Sequence, residues 1–406
     1  MEINYINGGV CAPKGFYASG IHCGIRKSKS KKDLALIYSK TICNTVAVYT
    51  QNLVKGAPIF ITQKNIEDGL AQAVICNSGN ANTCNADGEV KAQQMCEICA
   101  KALNISEKNV VVASTGVIGQ TLDLTPIQNG IGELVSQLSQ TGNDDSANAI
   151  MTTDTHKKQV ALTFNINGKT CAIGGMAKGS GMIHPNMATM LCFLTTDTNI
   201  TTKMLQTALS DVVQDTFNMV SVDGDTSTND MVSLMANGNA ENTLIEKEDS
   251  NYIIFKQALF TILETLSKMI AGDGEGATKL LQCVVTGACD KANAKIVAKS
   301  VITSTLFKSA MFGADANWGR VLCAIGYSKA NLNINKVAVA FESKKGNILV
   351  CKNGAGVAFD EAIAKEILQE NEINILITLG DGSANATAWG CDLTYDYVKI
   401  NGDYRT

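Results

Sequence analysis

The chain is poor in proline and histidine and holds no long apolar run, and each shortage narrows what it can be. Four prolines in 406 residues, with no low-complexity stretch, leave no room for a linker between separately folding parts. No apolar segment approaches the ~20 residues that span a bilayer. Residues 1–9 lack a basic region followed by an apolar core, so no secretory signal is expected, and the cytoplasm is the expected compartment. His22, His156 and His184 are the three histidines, and their wide spacing gives no support to a histidine metal site or a Ser-His-Asp triad. Neither a metal nor a cofactor is expected. The formal net charge of −4 has the wrong sign for a nucleic-acid surface, which needs a basic stripe. The basic run at 26–32 (R-K-S-K-S-K-K) reads as a solvated loop between strands.

What remains is a packed globular chain. Hydrophobic residues make up 45% and charged residues 18%, and the length suits two or three core-forming units or one large α/β assembly. The 14 cysteines are scattered through apolar segments, as at Cys76, Cys192, Cys283 and Cys323, and read as reduced core residues. Cys96 and Cys99 form a lone C-x-x-C inside a helical stretch, without the second pair that a zinc site needs. Short apolar runs at 73–76, 109–113, 159–164, 170–174, 190–195, 281–286 and 373–378 read as strands. Helical periodicity marks 89–103, 125–139, 202–216, 252–271, 358–369 and 393–399. Asn167-Gly168 between two of the strands is a hairpin signal. Mixed hairpins and helices favour a layered α/β fold with largely antiparallel sheets over a doubly wound parallel one.

The most informative segment is 178–191, K-G-S-G-M-I-H-P-N-M-A-T-M-L. A glycine-rich turn runs into a buried strand, with Thr189 at the junction and Ala188 before it. If the Ala188–Thr189 bond breaks, Thr189 gains an α-amine with a pKa of roughly 7.7–8. That amine can take the proton of its own hydroxyl, an arrangement known for activated threonine nucleophiles. The division would leave 1–188 and 189–406 as two chains.

Other motifs allow a chemical and a plain reading side by side. In S-T-G-V-I-G (114–119), Thr115 and Gly116 follow a strand and could turn donors toward an oxyanion; an ordinary strand-ending turn has the same residues. A-K-G-S-G (177–181) lacks the spacing of a phosphate loop, so Lys178 reads better as a carboxylate-binding cation. M-T-T-D-T (151–155) offers Thr152 to a substrate or to a local cap. Glu275 in G-D-G-E-G-A suits a substrate ammonium or a polar helix end. Asn401 and Thr406 belong to a terminal segment that either frays or tucks into the body.

Taken in order, these motifs resemble the ornithine acetyltransferase family, the bifunctional glutamate N-acetyltransferases of arginine biosynthesis. The resemblance spans the chain, from G-V-x-A-P-x-G-F (9–16) through N-S-G-N-A-N (77–82), the Thr189 block and G-A-D-A-N-W-G-R (313–320) to the terminal N-x-x-Y-R-T, with no departure at a functional position. It implies a precursor that cleaves itself between Ala188 and Thr189 into an α chain, 1–188, and a β chain, 189–406, held in an α2β2 assembly. It implies a layered α/β/β/α sandwich of N-terminal-nucleophile type. Thr115 and Gly116 become the oxyanion pair, and Thr152, Lys178, Thr189, Glu275, Asn401 and Thr406 the substrate contacts. The implied reaction moves an acetyl group from N2-acetyl-L-ornithine to L-glutamate through an acetyl-Thr189 ester; use of acetyl-CoA as donor is left open. The alternatives are an N-terminal-nucleophile amidohydrolase or aminopeptidase, and a non-catalytic small-molecule binder.

Overall fold

The computed structural model describes residues 2–184 and 190–402. Alternation of side chains along its strands explains the layering. In Leu191–Thr196, Leu191 and Phe193 enter one apolar cluster while Cys192 and Leu194 enter another. Met231–Ala236 divides the same way, with Met231 and Met235 on one face and Val232 and Leu234 on the other. Across the molecule, Val110–Val117 sends Val111 and Ala113 into the cluster that holds Phe193, and Val110 and Val112 outward beneath a helix layer. Two leaves of sheet therefore share one inner core, as the period of two requires when both faces are covered.

The leaves are one hydrogen-bonded sheet bent along the strand Leu34–Tyr49. Its first half pairs with Phe16–Ile21 and Leu70–Asn80, and its second half with Met231–Ala236. The register breaks between Tyr38 and Cys43, which lets the strand turn from one leaf to the other. Nine strands of the described residues belong to this sheet. Helices Gly88–Leu103 and Thr125–Ser136 cover one outer face, and Thr202–Val213 and Ser250–Gly272 the other. The order is α/β/β/α, the layering expected, and most described strand pairs are antiparallel. The hairpin at Asn167-Gly168 has φ of 50° and 82° and joins Ile166 to Lys169, two positive φ values that a type I′ turn demands.

A second, seven-stranded sheet among the described residues lies beyond Ser250–Gly272. Its centre is the parallel pair Leu280–Ala288 and Glu372–Thr378, covered by Lys291–Thr303. Trp389 is fully buried there, its indole N–H donating to Gln282 at 2.8 Å. The long helix serves both sheets, so one continuous core runs from Leu162 through Phe255 to Trp389.

Two differences from the sequence reading have physical causes. Residues 114–116 lie inside the strand Val110–Val117, because they keep pairing with Asn77–Asn80 across an irregular register. The strand Leu34–Tyr49 carries no clean alternation around residues 39–45, where it bends between leaves and its pairing breaks. Cys96 and Cys99 sit inside Gly88–Leu103 as expected, both fully buried. Burial pushes the Cys96 thiol up to about 12, far from thiolate chemistry. The basic run forms the loop between Phe16–Ile21 and Leu34–Tyr49. Buried Asp33 organises it by accepting from the backbone N–H groups of Cys23, Gly24 and Arg26 at 2.7, 3.2 and 3.0 Å.

Candidate active site

Two parallel strand pairs bring their ends together at one edge of the inner core. Leu70–Asn80 and Val110–Val117 arrive with their C-terminal ends, and Leu191–Thr196 and Met231–Ala236 start there. The cavity between them has a volume of about 120 Å³. Thr115, Gly116, Thr152, Lys178, Glu275 and Asn401 all line it. Those six come from five separate motifs spread over almost 300 positions. Ala188, Thr189 and Thr406 lie outside the described residues.

Backbone shape accounts for the glycines. Gly116 has φ of 133°, and a Cβ there would lie 2.4 Å from the carbonyl carbon of Gly79. Gly79 itself has φ of 99°. Only glycine allows the two strands to approach this closely while turning toward the cavity. Gly181 plays a different part: a Cβ would fall 2.3 Å from the Glu275 carboxyl carbon, so its missing side chain is the space that the carboxylate occupies.

A buried ion network fixes three of the wall segments against each other. Lys158, 1% exposed, donates to Asp154 at 2.7 Å and to Asp273 at 2.5 Å. Asp154 also accepts from the backbone N–H of Thr152 at 2.9 Å and of Gly179 at 2.7 Å. Asp273 accepts from Thr155 and passes its own carbonyl to the Ser180 hydroxyl at 2.7 Å. Segments 151–155, 178–181 and 272–275 thereby hold one another. Burial acts to raise the Asp154 pKa, but the Lys178 and Lys158 cations outweigh it and hold the carboxyl well below the usual carboxylate range. Pairing on both sides is what makes such buried charges tolerable.

Lys178 and Glu275 are each 8% exposed and border one cavity with opposite charges. Glu275 is held by its backbone N–H to Ser180 O at 3.0 Å and by the Asn401 amide at 2.7 Å. The helix Tyr395–Asn401 thus docks against the cavity through its last residue, and the terminal segment tucks in as far as it is described. A zwitterion with a further charged arm fits between an ammonium and a carboxylate placed in this way.

The segment 223–230, D-G-D-T-S-T-N-D, stands out in the sequence as a polar turn motif but carries no assigned role there. Ser227, Thr228 and Asn229 line the cavity. The Asn229 amide donates to Ala81 O at 2.6 Å and Ser114 O at 3.0 Å, and its oxygen accepts from Thr83 at 2.6 Å. It staples the N-S-G-N-A-N loop and the Thr115 strand to the opposite leaf. Asp223 accepts from the backbone of Met182 and Ile183 at 2.6 and 2.9 Å, securing the turn that leads toward residue 185. The available signal was a polar run beside an apolar strand, the pattern that also singled out 178–191. Asp154 and Asp273 were inside quoted motifs but received no role, because a lysine that bridges two carboxylates 119 residues apart leaves no trace in local spacing. His184 was likewise unassigned; its ring lies 3.1 Å from the Ser221 hydroxyl, and burial, with Lys299 nearby, lowers its pKa to about 4.

The sequence matches known proteins over nearly its whole length. The model of the ArgJ family matches residues 17–406. The arginine biosynthesis bifunctional protein ArgJ of Caldanaerobacter subterraneus subsp. tengcongensis is 49% identical over 407 residues, covering 100% of both chains. The protein of the same description from Bacillus subtilis is 48% identical, over 100% of this chain and 98% of its own. Among solved structures, the arginine biosynthesis bifunctional protein of Bacillus halodurans superposes with a TM-score of 0.50 at 47% identity, covering 52% of this chain and 97% of its own. Near-identical length, close to half of all residues in common and one assembled cavity lead to a single classification: the chain belongs to the ArgJ family.

Proposed function

We propose that this enzyme transfers the acetyl group of N2-acetyl-L-ornithine to L-glutamate, with Thr189 as nucleophile, as a step of arginine biosynthesis. The observation that carries the reading is the convergence of Thr115, Gly116, Thr152, Lys178, Glu275 and Asn401 on one cavity, beside the start of the strand that Thr189 precedes. The Thr189 hydroxyl attacks the acetamide carbonyl while its α-amine takes the proton. Thr115 and Gly116 stabilise the oxyanion. The tetrahedral intermediate collapses, ornithine leaves with the proton on its α-nitrogen, and an acetyl ester stays on Thr189. Glutamate enters the same cavity, its α-amine attacks the ester, and N-acetylglutamate departs as the hydroxyl is restored. Lys178 serves the substrate carboxylate, and Glu275, steadied by Asn401, serves the side-chain ammonium of ornithine. Thr152 contributes a polar contact, and Thr406 is the remaining substrate contact. No metal or cofactor takes part.

The nucleophile arises by cleavage between Ala188 and Thr189, giving chains 1–188 and 189–406 that pair as α2β2 in the cytoplasm. The matched Bacillus halodurans chain supports the division. It covers 52% of this chain with 97% of its own length, close to half of the sequence, as a division near the middle of the chain would leave. The chains would remain together because strands 191–196 and 231–236 share a sheet with strands from before residue 178. Incubation with N-acetylornithine should place 42 Da, about one acetyl group, on a fragment beginning T-M-L-C-F, with release to glutamate on its addition. Absence of that fragment, or acetate release that ignores glutamate, would overturn the transferase reading; the latter would favour an amidohydrolase.

A further inference from the structure

Lys178 and Glu275 meet only part of the charge that the proposed reaction brings to the cavity. Ornithine and glutamate share an α-carboxylate and an α-amine, but their side chains end in opposite charges. Among the described residues the cavity is lined by one cation, Lys178, and one carboxylate, Glu275. Lys178 is occupied by the α-carboxylate that both amino acids present. Glu275 suits the ammonium of ornithine and repels the γ-carboxylate of glutamate, because like charges in a sheltered cleft are poorly screened. Glutamate therefore needs a second cation within reach of the cavity wall.

The basic run at 26–32 supplies one. Asp33 fixes its loop through the backbone of Cys23, Gly24 and Arg26. The carbonyl of Asp33 accepts the Ser78 N–H at 2.9 Å, which ties the loop to the strand Leu70–Asn80. Arg26 lies along the wall that holds the glycine pair. Its Cγ is 2.8 Å from the place a Gly79 Cβ would take, and its Nη2 donates to Met151 O at 2.5 Å. One residue further on that wall, the Lys31 Nζ donates to Thr152 O at 3.4 Å, and Thr152 lines the cavity. Lys32 is paired with Asp145, and Lys158 with Asp154 and Asp273. Lys31 differs from both: it is exposed, and this long bond is the one its ammonium makes among the described residues.

We propose that Lys31 is a specificity-determining residue for the second half-reaction, binding the γ-carboxylate of glutamate at the Thr152 edge of the cavity. The proposal rests on the transferase reading above. An ammonium has three donors on a flexible four-carbon stem, so Lys31 can keep Thr152 O and still give an N–H to a carboxylate. The same charge disfavours the ornithine ammonium at that edge and leaves it to Glu275. One cavity thus receives two arms of opposite sign by placing a cation and a carboxylate at different points of its wall.

Two assays separate the halves of the reaction. Exchange of labelled ornithine into N-acetylornithine uses the ornithine side alone, whereas transfer from N-acetylornithine to glutamate uses both. In Lys31→Met, KM for glutamate should rise about tenfold, with ornithine exchange and melting temperature held. Lys31→Arg keeps a cation that suits a carboxylate and should recover most of the lost affinity. Added salt should raise KM for glutamate more in the wild type than in Lys31→Met. An unchanged KM for glutamate, or an equal loss in both assays, overturns the assignment. So does the same rise in Lys29→Met, which would mark a diffuse field over the loop. Failure of the transferase reading itself is seen separately, as a wild-type chain that catalyses neither exchange nor transfer.

Discussion

The two parallel strand pairs that meet at the cavity make opposite contributions. Leu70–Asn80 and Val110–Val117 deliver backbone: Gly79 and Gly116 carry positive φ, and the strands nearly touch. Leu191–Thr196 and Met231–Ala236 begin at the cavity, with Ser227, Thr228 and Asn229 lining it just ahead of the second strand and Thr189, the proposed nucleophile, preceding Met190 in the sequence ahead of the first. Parallel pairs inside a largely antiparallel sheet place unlike ends against each other. Under the proposed mechanism the oxyanion side is shaped by what glycine omits, whereas the nucleophile side draws on side chains at the heads of strands.

The sharpest break in that contrast is Thr189→Ala. Turnover should fall by on the order of 10⁶, and the chain should stay intact on mass analysis, with the cavity otherwise unchanged. Lys158→Met comes next, and strikes the frame that both sides share. It leaves Asp273 buried without its cation and Asp154 with the Lys178 charge alone, a loss of about 3–5 kcal/mol readable by urea unfolding. The pH dependence sharpens this case. Asp154 is held below its ordinary value, so its stabilisation is present above about pH 3.9 and disappears as pH falls from there through the depressed folded value. The wild type should show that acid loss, and the variant, in which Lys178 alone still holds Asp154 down, should show less of it.

Gly116→Ala tests the backbone side alone. The added methyl meets Gly79, and turnover should drop about 10²–10³-fold with KM changed far less; an unchanged kcat would remove Thr115 and Gly116 from the oxyanion role. Asn229→Ala tests the staple between the two pairs. It strips donors from Ala81 O and Ser114 O and should cost about 1–3 kcal/mol in thermal unfolding, with a smaller kinetic effect than Gly116→Ala.

The regular elements were largely legible in the sequence because their physics is local. The strands at 159–164 and 170–174 announced themselves by a turn dipeptide that only positive φ can satisfy. The helix at 252–271 did so by its apolar periodicity. The strand Leu34–Tyr49 stayed hidden because a strand that changes leaves also changes which face is buried, so no single alternation describes it. The site residues Thr115, Gly116, Thr152, Lys178, Glu275 and Asn401 were named from motifs and a family resemblance, and the fold unites them in one cavity.

By itself, then, the order of residues determined the elements, the turns, the segments able to carry chemistry and the family. Each follows from short-range constraints: φ preferences, side-chain period and residue types grouped within a few positions. Tertiary structure alone decided that Lys158 would bind two carboxylates 119 residues apart, that Asn229 would join opposite leaves, and that Lys31 would reach the Thr152 carbonyl. Those pairings depend on long-range contacts and on burial, and burial is a property of the packed chain: the same carboxyl is unremarkable in water and consequential once water is excluded.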